Sequence, residues 1–175
     1  MPSMTMQKML ELVYEDMDGS EVAMAYSRRH GINSLAVLTV YDDDTAEKVA
    51  RHLAPQIEGK AVIEIGGGIG LLAFHLGVYA KHVWCIEANP AWAWTFVGCL
   101  YVSKPKNVSY LFGAAEEFVN HLHGDVALFC THSDTTGMKR IGEQFAPTVI
   151  DVYGDIIRAD PSRFDSLAWQ LRALT

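Results

Sequence analysis

The spacing of hydrophobic residues along the chain changes near residue 60. Before that point apolar residues recur every three or four positions, which is the spacing of an α-helix with one buried face. Three helices are therefore predicted, over 4–17, 20–30 and about 42–54. Pro55 and Gly59 are expected to end the third helix, because proline lacks the backbone N–H that a helix needs and glycine is common just past a helix end.

After residue 60, short apolar runs alternate with stretches of helical spacing. Such alternation is typical of a parallel sheet that helices cover on both faces. Strands are predicted at 61–65, 83–87, 108–112, 125–130 and 148–153, and helices at 69–80, 89–102, 114–122, 136–145 and about 161–173.

These elements predict a single α/β domain over residues 1–175, built on a doubly wound, mostly parallel sheet. Within this domain, 1–58 would form an N-terminal helical lid or approach segment. The α/β core that binds a cofactor would occupy 59–155, and a C-terminal helix would lie within 156–175.

Composition and charge narrow the classes of partner. The chain has 175 residues, of which 50% are hydrophobic and 20% charged, as in a globular domain with its own core. Its formal net charge of −7 provides no attraction to nucleic acid, so no nucleic-acid partner is expected. No apolar run reaches the ~18 residues of a membrane helix, so no membrane partner is expected either.

The cysteines indicate a compartment. Cys85, Cys99 and Cys130 each lie inside an apolar run rather than at the spacing of a disulfide framework. Buried free thiols are typical of proteins in a reducing environment, so we expect a cytoplasmic protein.

The segment VIEIGGGIG, residues 62–70, concentrates glycine directly after a predicted strand. Glycine lets a ligand approach the backbone closely, and the helix that follows would offer free N–H groups and the positive end of its dipole. In a doubly wound sheet this loop lies at the carboxyl edge of the strands, where ligands bind. The segment therefore predicts a site for a nucleotide-like cofactor.

Two kinds of cofactor compete for this loop. The dinucleotide pattern can be read from Gly68 to Ala73, with Glu87 at the end of the next strand to hold ribose hydroxyls. Read from Gly66, where the strand stops, the pattern fails because Leu71 occupies the third glycine position. An acid-x-Gly-x-Gly-x-Gly pattern fits from the strand onward, at Glu64, Gly66, Gly68 and Gly70.

The segment from about 55 to 153 resembles the class I S-adenosylmethionine-dependent methyltransferase family in three motifs. VIEIGGGIG matches the first motif, VWCIEANP the second and YLFGAAEEF the third. The resemblance implies S-adenosylmethionine as the cofactor, with Glu87 binding both ribose hydroxyls. It also implies cofactor contacts from all three motifs, at Glu64, Gly66, Gly67, Gly68, Gly70, Glu87, Ala88, Ala114, Ala115 and Glu116.

The chain departs from the family's pattern in two places. Ala114 stands where the family commonly has an acidic residue that holds the adenine amino group, so Glu116 or a backbone carbonyl would have to serve. The family usually completes a seven-stranded sheet, whereas little of this chain follows the fifth strand. We therefore expect a sheet truncated after that strand, with an exposed edge that a homodimer would cover.

Candidate catalytic groups follow the fourth and fifth strands. A base is needed only if the acceptor holds a proton tightly. We expect His132 to act as the base or to orient the acceptor, with Asp134 or Tyr153 assisting; the alternative that this polar loop only caps the next helix stays open. No metal is expected, because HLHGD at 121–125 has metal-ligand spacing but lies at the opposite edge of the sheet.

The sequence therefore predicts an S-adenosylmethionine-dependent methyltransferase that acts on a small, partly apolar acceptor beneath the helices of 4–30. Two alternatives remain. One is an NAD(P)-dependent oxidoreductase with a Rossmann domain. The other is an S-adenosylmethionine-binding domain that has lost catalysis.

Overall fold

The structure, a computed structural model, describes residues 43–68, 70–88, 106–130 and 135–164. Three of the predicted helices lie outside these residues, namely 4–17, 20–30 and 89–102. Residues 1–42 of the predicted lid segment and the dimer-forming end beyond Phe164 also lie outside them and stay predictions.

Five parallel strands form the sheet in the described part of the chain, in the spatial order β3-β2-β1-β4-β5. In chain order they are β1 (Ala61–Ile65), β2 (His82–Glu87), β3 (Val108–Phe112), β4 (Val126–Phe129) and β5 (Thr148–Asp151). The chain winds outward from β1 to β3 and then returns to the other side of β1. The prediction of a doubly wound parallel sheet is confirmed, and its winding reverses between β1 and β4.

β5 lies at the edge of the described sheet, as predicted, but it is shorter than expected. After Asp151 the chain turns into a π-helical segment, Val152–Ile157. The Asp151 side chain accepts a hydrogen bond from the N–H of Gly154 at 2.9 Å. The backbone N–H of Asp151 donates to the side chain of Asp155 at 3.0 Å. These local hydrogen bonds compete with an extended conformation, so the strand ends two residues early.

Three α-helices are described: α1 (Asp43–Ile57), α2 (Leu71–Leu76) and α3 (Thr135–Phe145). The predictions of α1 and α3 are confirmed, and α1 buries Ala46, Val49, Ala50 and Leu53 completely. Contrary to expectation α1 runs past Pro55, but it ends at Ile57, just before Gly59, whose φ of 69° lies in the left-handed region. The N–H of Glu58 still donates to Ala54 at 2.9 Å, and burial of Ile57 holds the last turn against the core.

Two predicted helices are much shorter in the structure. α2 covers only part of 69–80 because the Asn107 side chain donates to the carbonyls of Gly77 and Ala80, at 2.9 Å each, where the chain has left the helix. The predicted helix over 114–122 is a single 3₁₀ turn, Ala115–Glu117. The apolar residues of this segment pack against the sheet although the backbone there is not an α-helix. The spacing of these residues alone does not reveal that difference.

The two faces of the sheet carry separate hydrophobic clusters. One face packs Val62, Val83 and Leu128 beneath α1 and α2, and the other packs Ile63, Ile65, Ile86, Ala127 and Phe129 with Phe145 of α3. Side chains alternate along a strand, so Glu64 points to the face that α1 and α2 cover. A carboxyl group is thereby buried directly beneath the loop between β1 and α2.

None of the helices in the described ranges is long and apolar enough to cross a membrane.

Candidate cofactor site

The glycine loop between β1 and α2 needs its glycines for backbone conformation. Gly66, Gly68 and Gly70 have φ values of 72°, 58° and 75°, a region that residues with a side chain rarely adopt. A Cβ added at Gly66 or Gly68 would meet no atom of the described residues within 4 Å, apart from the chain neighbours of each glycine. As far as the described residues go, the loop is open on the side to which these two positions would point a side chain.

Gly67 is glycine because the chain beneath it comes too close. A Cβ at this position would lie 2.2 Å from Cys85 Sγ and 3.0 Å from Glu64 Oε2. The loop thus rests on the side chains of β1 and β2 with no room for a methyl group.

The amides of the loop itself, as distinct from those of the helix that follows it, are used within the chain. The N–H groups of Gly66 and Gly67 donate to Ile86 O at 2.8 and 3.1 Å. Gly68 N donates to Glu87 Oε2 at 2.8 Å, and Gly70 N donates to Gly67 O at 2.8 Å. These four amides are engaged in the protein itself, so they are not the donors that an anion would require.

Glu64 is a buried carboxyl group beneath the loop. It is 4% exposed, and its Oε2 has no hydrogen-bond partner among the residues that the structure describes. Burial raises its pKa to about 8; hydrogen bonding to the Cys85 thiol and to the Ala73 backbone lowers it, whereas the Glu87 charge raises it. The sequence suggested a carboxylate here, whereas the raised pKa keeps the group mostly protonated at neutral pH.

Glu87 ends β2 beside the loop. It is 9% exposed, and its Oε2 accepts the Gly68 N–H. A carboxylate has about four acceptor positions, so the Gly68 N–H is one of several donors that such a group can accept. The strand end and the glycine loop are thus joined as the sequence predicted, through a hydrogen bond that the sequence did not predict.

The parallel register brings two unpredicted residues into the site. Glu64 pairs with Cys85, and Cys85 with Tyr110, so the three side chains form a polar row across β1, β2 and β3 on one face. Tyr110 Oη donates to Gly68 O at 3.0 Å. Burial, followed by the Glu64 charge, raises the pKa of Cys85, which therefore stays a thiol. The signal for this row was available once the strands were aligned in parallel, residue by residue.

The end of β3 lies next to the end of β2. Gly113 N donates to Glu87 O at 3.0 Å, which brings Ala114 and Ala115 to the same edge as Ala88. Glu116 is exposed, and it is Glu117 whose side chain accepts the Ala114 N–H, at 3.0 Å. The third motif therefore borders the site, and the carboxylate of Glu117 is used to close the turn.

The proposed catalytic groups are only partly described. His132 and Asp134 lie outside the described residues. Tyr153 lies in the π-helical segment after β5, partly buried against the hydrophobic core. At the opposite edge of the sheet, Asp125 accepts the Ala61 N–H at 2.8 Å, and the residues described contain no group of three or more potential metal ligands.

Several solved structures share the fold of this chain. No protein-family model and no curated protein matches the chain. TYW2 of M. jannaschii, solved in complex with AdoMet, is 19% identical with a TM-score of 0.51, over 58% of this chain and 48% of that chain. Trm5b of Pyrococcus abyssi is 18% identical with a TM-score of 0.52, over 77% of this chain and 43% of that chain.

A third structure comes from a different reaction. The precorrin-6y C5,15-methyltransferase of Geobacter metallireducens GS-15 is 12% identical with a TM-score of 0.52, over 70% of each chain. The chain spans less than half of the TYW2 and Trm5b structures, and 63% and 40% of two Pyrococcus horikoshii structures that it matches. At these identities the similarity concerns the fold, and that fold is the one of class I S-adenosylmethionine-dependent methyltransferases.

Replacing Gly67 by alanine tests the contact between the loop and the sheet. The added Cβ would overlap Cys85 Sγ, so we expect Gly67→Ala to lower the free energy of unfolding by about 1–3 kcal/mol. In a Cys85→Ala background the main clash is absent, and the same substitution should cost less. Urea denaturation of the four proteins in a double-mutant cycle measures this coupling. An equal cost in both backgrounds would contradict the contact.

The buried Glu64 predicts a loss of stability as pH rises. The unfolded chain releases this proton near pKa 4.5, whereas the folded chain keeps it up to a pKa of about 8. Between these values the folded state binds more protons, so the free energy of unfolding falls with rising pH; below and above them this group contributes no slope. Glu64→Gln should remove that part of the decline.

Urea denaturation from about pH 5 to about pH 8.5 measures the difference, with exposed Glu143→Gln as the matched control. The control should follow the wild-type curve. Parallel wild-type and Glu64→Gln curves would show that Glu64 ionises normally in the folded chain.

Proposed function

We propose that the chain is an S-adenosylmethionine-dependent methyltransferase whose cofactor binds over the glycine loop. The observation that carries this proposal is the engagement of the loop amides at Gly66, Gly67, Gly68 and Gly70 within the protein. The loop presents the bare Cα groups of Gly66 and Gly68, with the Glu87 carboxylate beside them. Such a lining suits a ligand that carries positive charge and hydroxyl groups, as S-adenosylmethionine does.

A dinucleotide requires the opposite chemistry at this position. Its pyrophosphate is held by free backbone N–H groups of the glycine loop and the following helix. In this chain the loop amides of Gly66, Gly67, Gly68 and Gly70 already donate to acceptors within the protein, so they do not serve a pyrophosphate. The NAD(P)-dependent oxidoreductase is therefore the weaker alternative.

In this proposal, the residues at the carboxyl ends of β1, β2 and β3 each contact a different part of the cofactor. S-adenosylmethionine supplies a methyl group on a sulfonium, and its transfer depends mainly on positioning. We infer that Glu87 accepts the ribose hydroxyls and that the open sides of Gly66 and Gly68 make room for the methionine part. Residues 114–116, which follow β3, would border the adenine, with a backbone carbonyl replacing the acidic contact that Ala114 lacks.

The acceptor would lie on the other side of the switch point. His132 and Asp134 follow β4, which is the neighbour of β1, and we propose His132 as the base or acceptor-orienting group. Tyr153 follows β5, one strand further away, and would assist. The supporting argument is topological, since the carboxyl ends of parallel strands share one edge of a sheet.

We propose a small, partly apolar acceptor. The net charge of −7 opposes binding of a phosphate backbone. The fold itself does not select the acceptor: one structural neighbour is a tRNA m1G37 methyltransferase of M. jannaschii, and another is named for precorrin-6y. Charge therefore provides the argument for a small molecule.

Cofactor binding separates the two enzyme classes. We expect S-adenosylmethionine to raise the melting temperature of the full chain, because a ligand that binds only the folded state stabilises it, and NAD and NADP to leave it unchanged. Glu87→Ala should weaken S-adenosylmethionine binding about 30- to 150-fold, since it removes a charge-assisted, two-hydroxyl contact worth about 2–3 kcal/mol.

The matched control for Glu87→Ala is Glu143→Ala, at an exposed position on α3. Calorimetric titration should give the wild-type affinity for this control. Stabilisation by NAD instead of S-adenosylmethionine would overturn the proposed function, and wild-type affinity in Glu87→Ala would mean that the ribose contact is elsewhere.

Methyl transfer to a small acceptor can be tested with labelled cofactor. The chain is incubated with methyl-labelled S-adenosylmethionine and either total tRNA or a low-molecular-mass cell extract, with heat-denatured protein as the control. Because a chain with this net negative charge is repelled by a phosphate backbone, we expect label in the low-mass fraction, together with S-adenosylhomocysteine. Label in precipitated tRNA would contradict the small acceptor, and binding without turnover on any acceptor would favour the inactive domain.

A further inference from the structure

Gly68 is held by a hydrogen bond on each side of its Cα atom. Its N–H donates to Glu87 Oε2 at 2.8 Å, and its carbonyl accepts from Tyr110 Oη at 3.0 Å. The two groups belong to successive peptide units, and the φ of 58° between them is in the left-handed region. Fixing both peptides therefore fixes the direction of the chain at the centre of the loop.

The two partners come from different strands. Glu87 ends β2, and Tyr110 lies in β3, which is two strands away from β1 where the loop begins. Neighbouring strands are about 4.8 Å apart, so only a long side chain from β3 reaches a loop that follows β1. The register that pairs Tyr110 with Cys85 directs the phenol toward the face on which the loop rests.

The direction of the Tyr110 hydrogen bond is also determined. Burial raises the pKa of the phenol above its ordinary value, and the nearby Cys85, Glu87 and Glu64 raise it further. The hydroxyl therefore stays protonated at neutral pH and donates to the Gly68 carbonyl.

We propose that Tyr110 is a positioning residue, which together with Glu87 holds the Gly68 backbone in its ligand-binding conformation before a ligand arrives. A loop that is ordered in advance loses less conformational entropy on binding, and the affinity is higher by that amount. The identity of the ligand rests on the proposed function, whereas the conformation in which Tyr110 and Glu87 hold the loop does not.

Tyr110→Phe tests this role, because it keeps the ring and removes only the hydroxyl. In the ligand-free chain we expect faster hydrogen exchange of the backbone amides over 66–68 than in the wild type. We also expect S-adenosylmethionine affinity to fall about 5- to 10-fold, with kcat at saturating cofactor unchanged. A split between affinity and kcat is not expected from general destabilisation.

Tyr79→Phe is the matched control, since Tyr79 packs against the same hydrophobic cluster at the opposite end of α2. It should leave both loop exchange and affinity at wild-type values. Unchanged loop exchange and affinity in Tyr110→Phe would overturn the inference, as would equal changes in both variants. If the wild type binds no S-adenosylmethionine but Tyr110→Phe still accelerates loop exchange, the proposed function fails while the positioning role stands.

Discussion

The site depends on how the glycine loop is attached to the end of β2. Ile86 provides a carbonyl for two loop amides, and Glu87 provides a carboxylate for a third. A loop with three positive-φ glycines would otherwise have many conformations, and ordering it costs free energy. Attaching it to a rigid strand gives one conformation and at the same time uses the N–H groups that an anionic ligand would need.

The second constraint is the polar row beneath the loop. Glu64, Cys85 and Tyr110 lie on a sheet face that is otherwise apolar, and burying polar groups there is unfavourable unless they are paired. Tyr110 is paired through the loop carbonyl, whereas Glu64 avoids most of the cost by remaining protonated. The row and the loop are therefore one unit, in which the loop conformation satisfies the sheet and the sheet holds the loop.

The strands of this chain are encoded by local sequence signals, whereas the ends of two helices are less plainly so. All five strands were predicted within about two residues, because each is a short apolar run bounded by polar or glycine residues. The helices over 69–80 and 114–122 were predicted too long. The first of these ends at Gly77, a local stop signal that the prediction passed over, and Asn107, from a distant part of the chain, binds the carbonyls of Gly77 and Ala80 beyond its end.

The sequence by itself determined the parallel α/β sheet, the glycine loop at its carboxyl edge and the place of Glu87, because these follow from periodicity and from glycine's backbone freedom. The tertiary structure alone decided what the loop offers to a ligand. Hydrogen-bond partners such as Ile86 O and Tyr110 Oη are brought to Gly66–Gly68 by strand order and register. Burial, likewise a property of the packed chain, decided that Glu64 carries a proton.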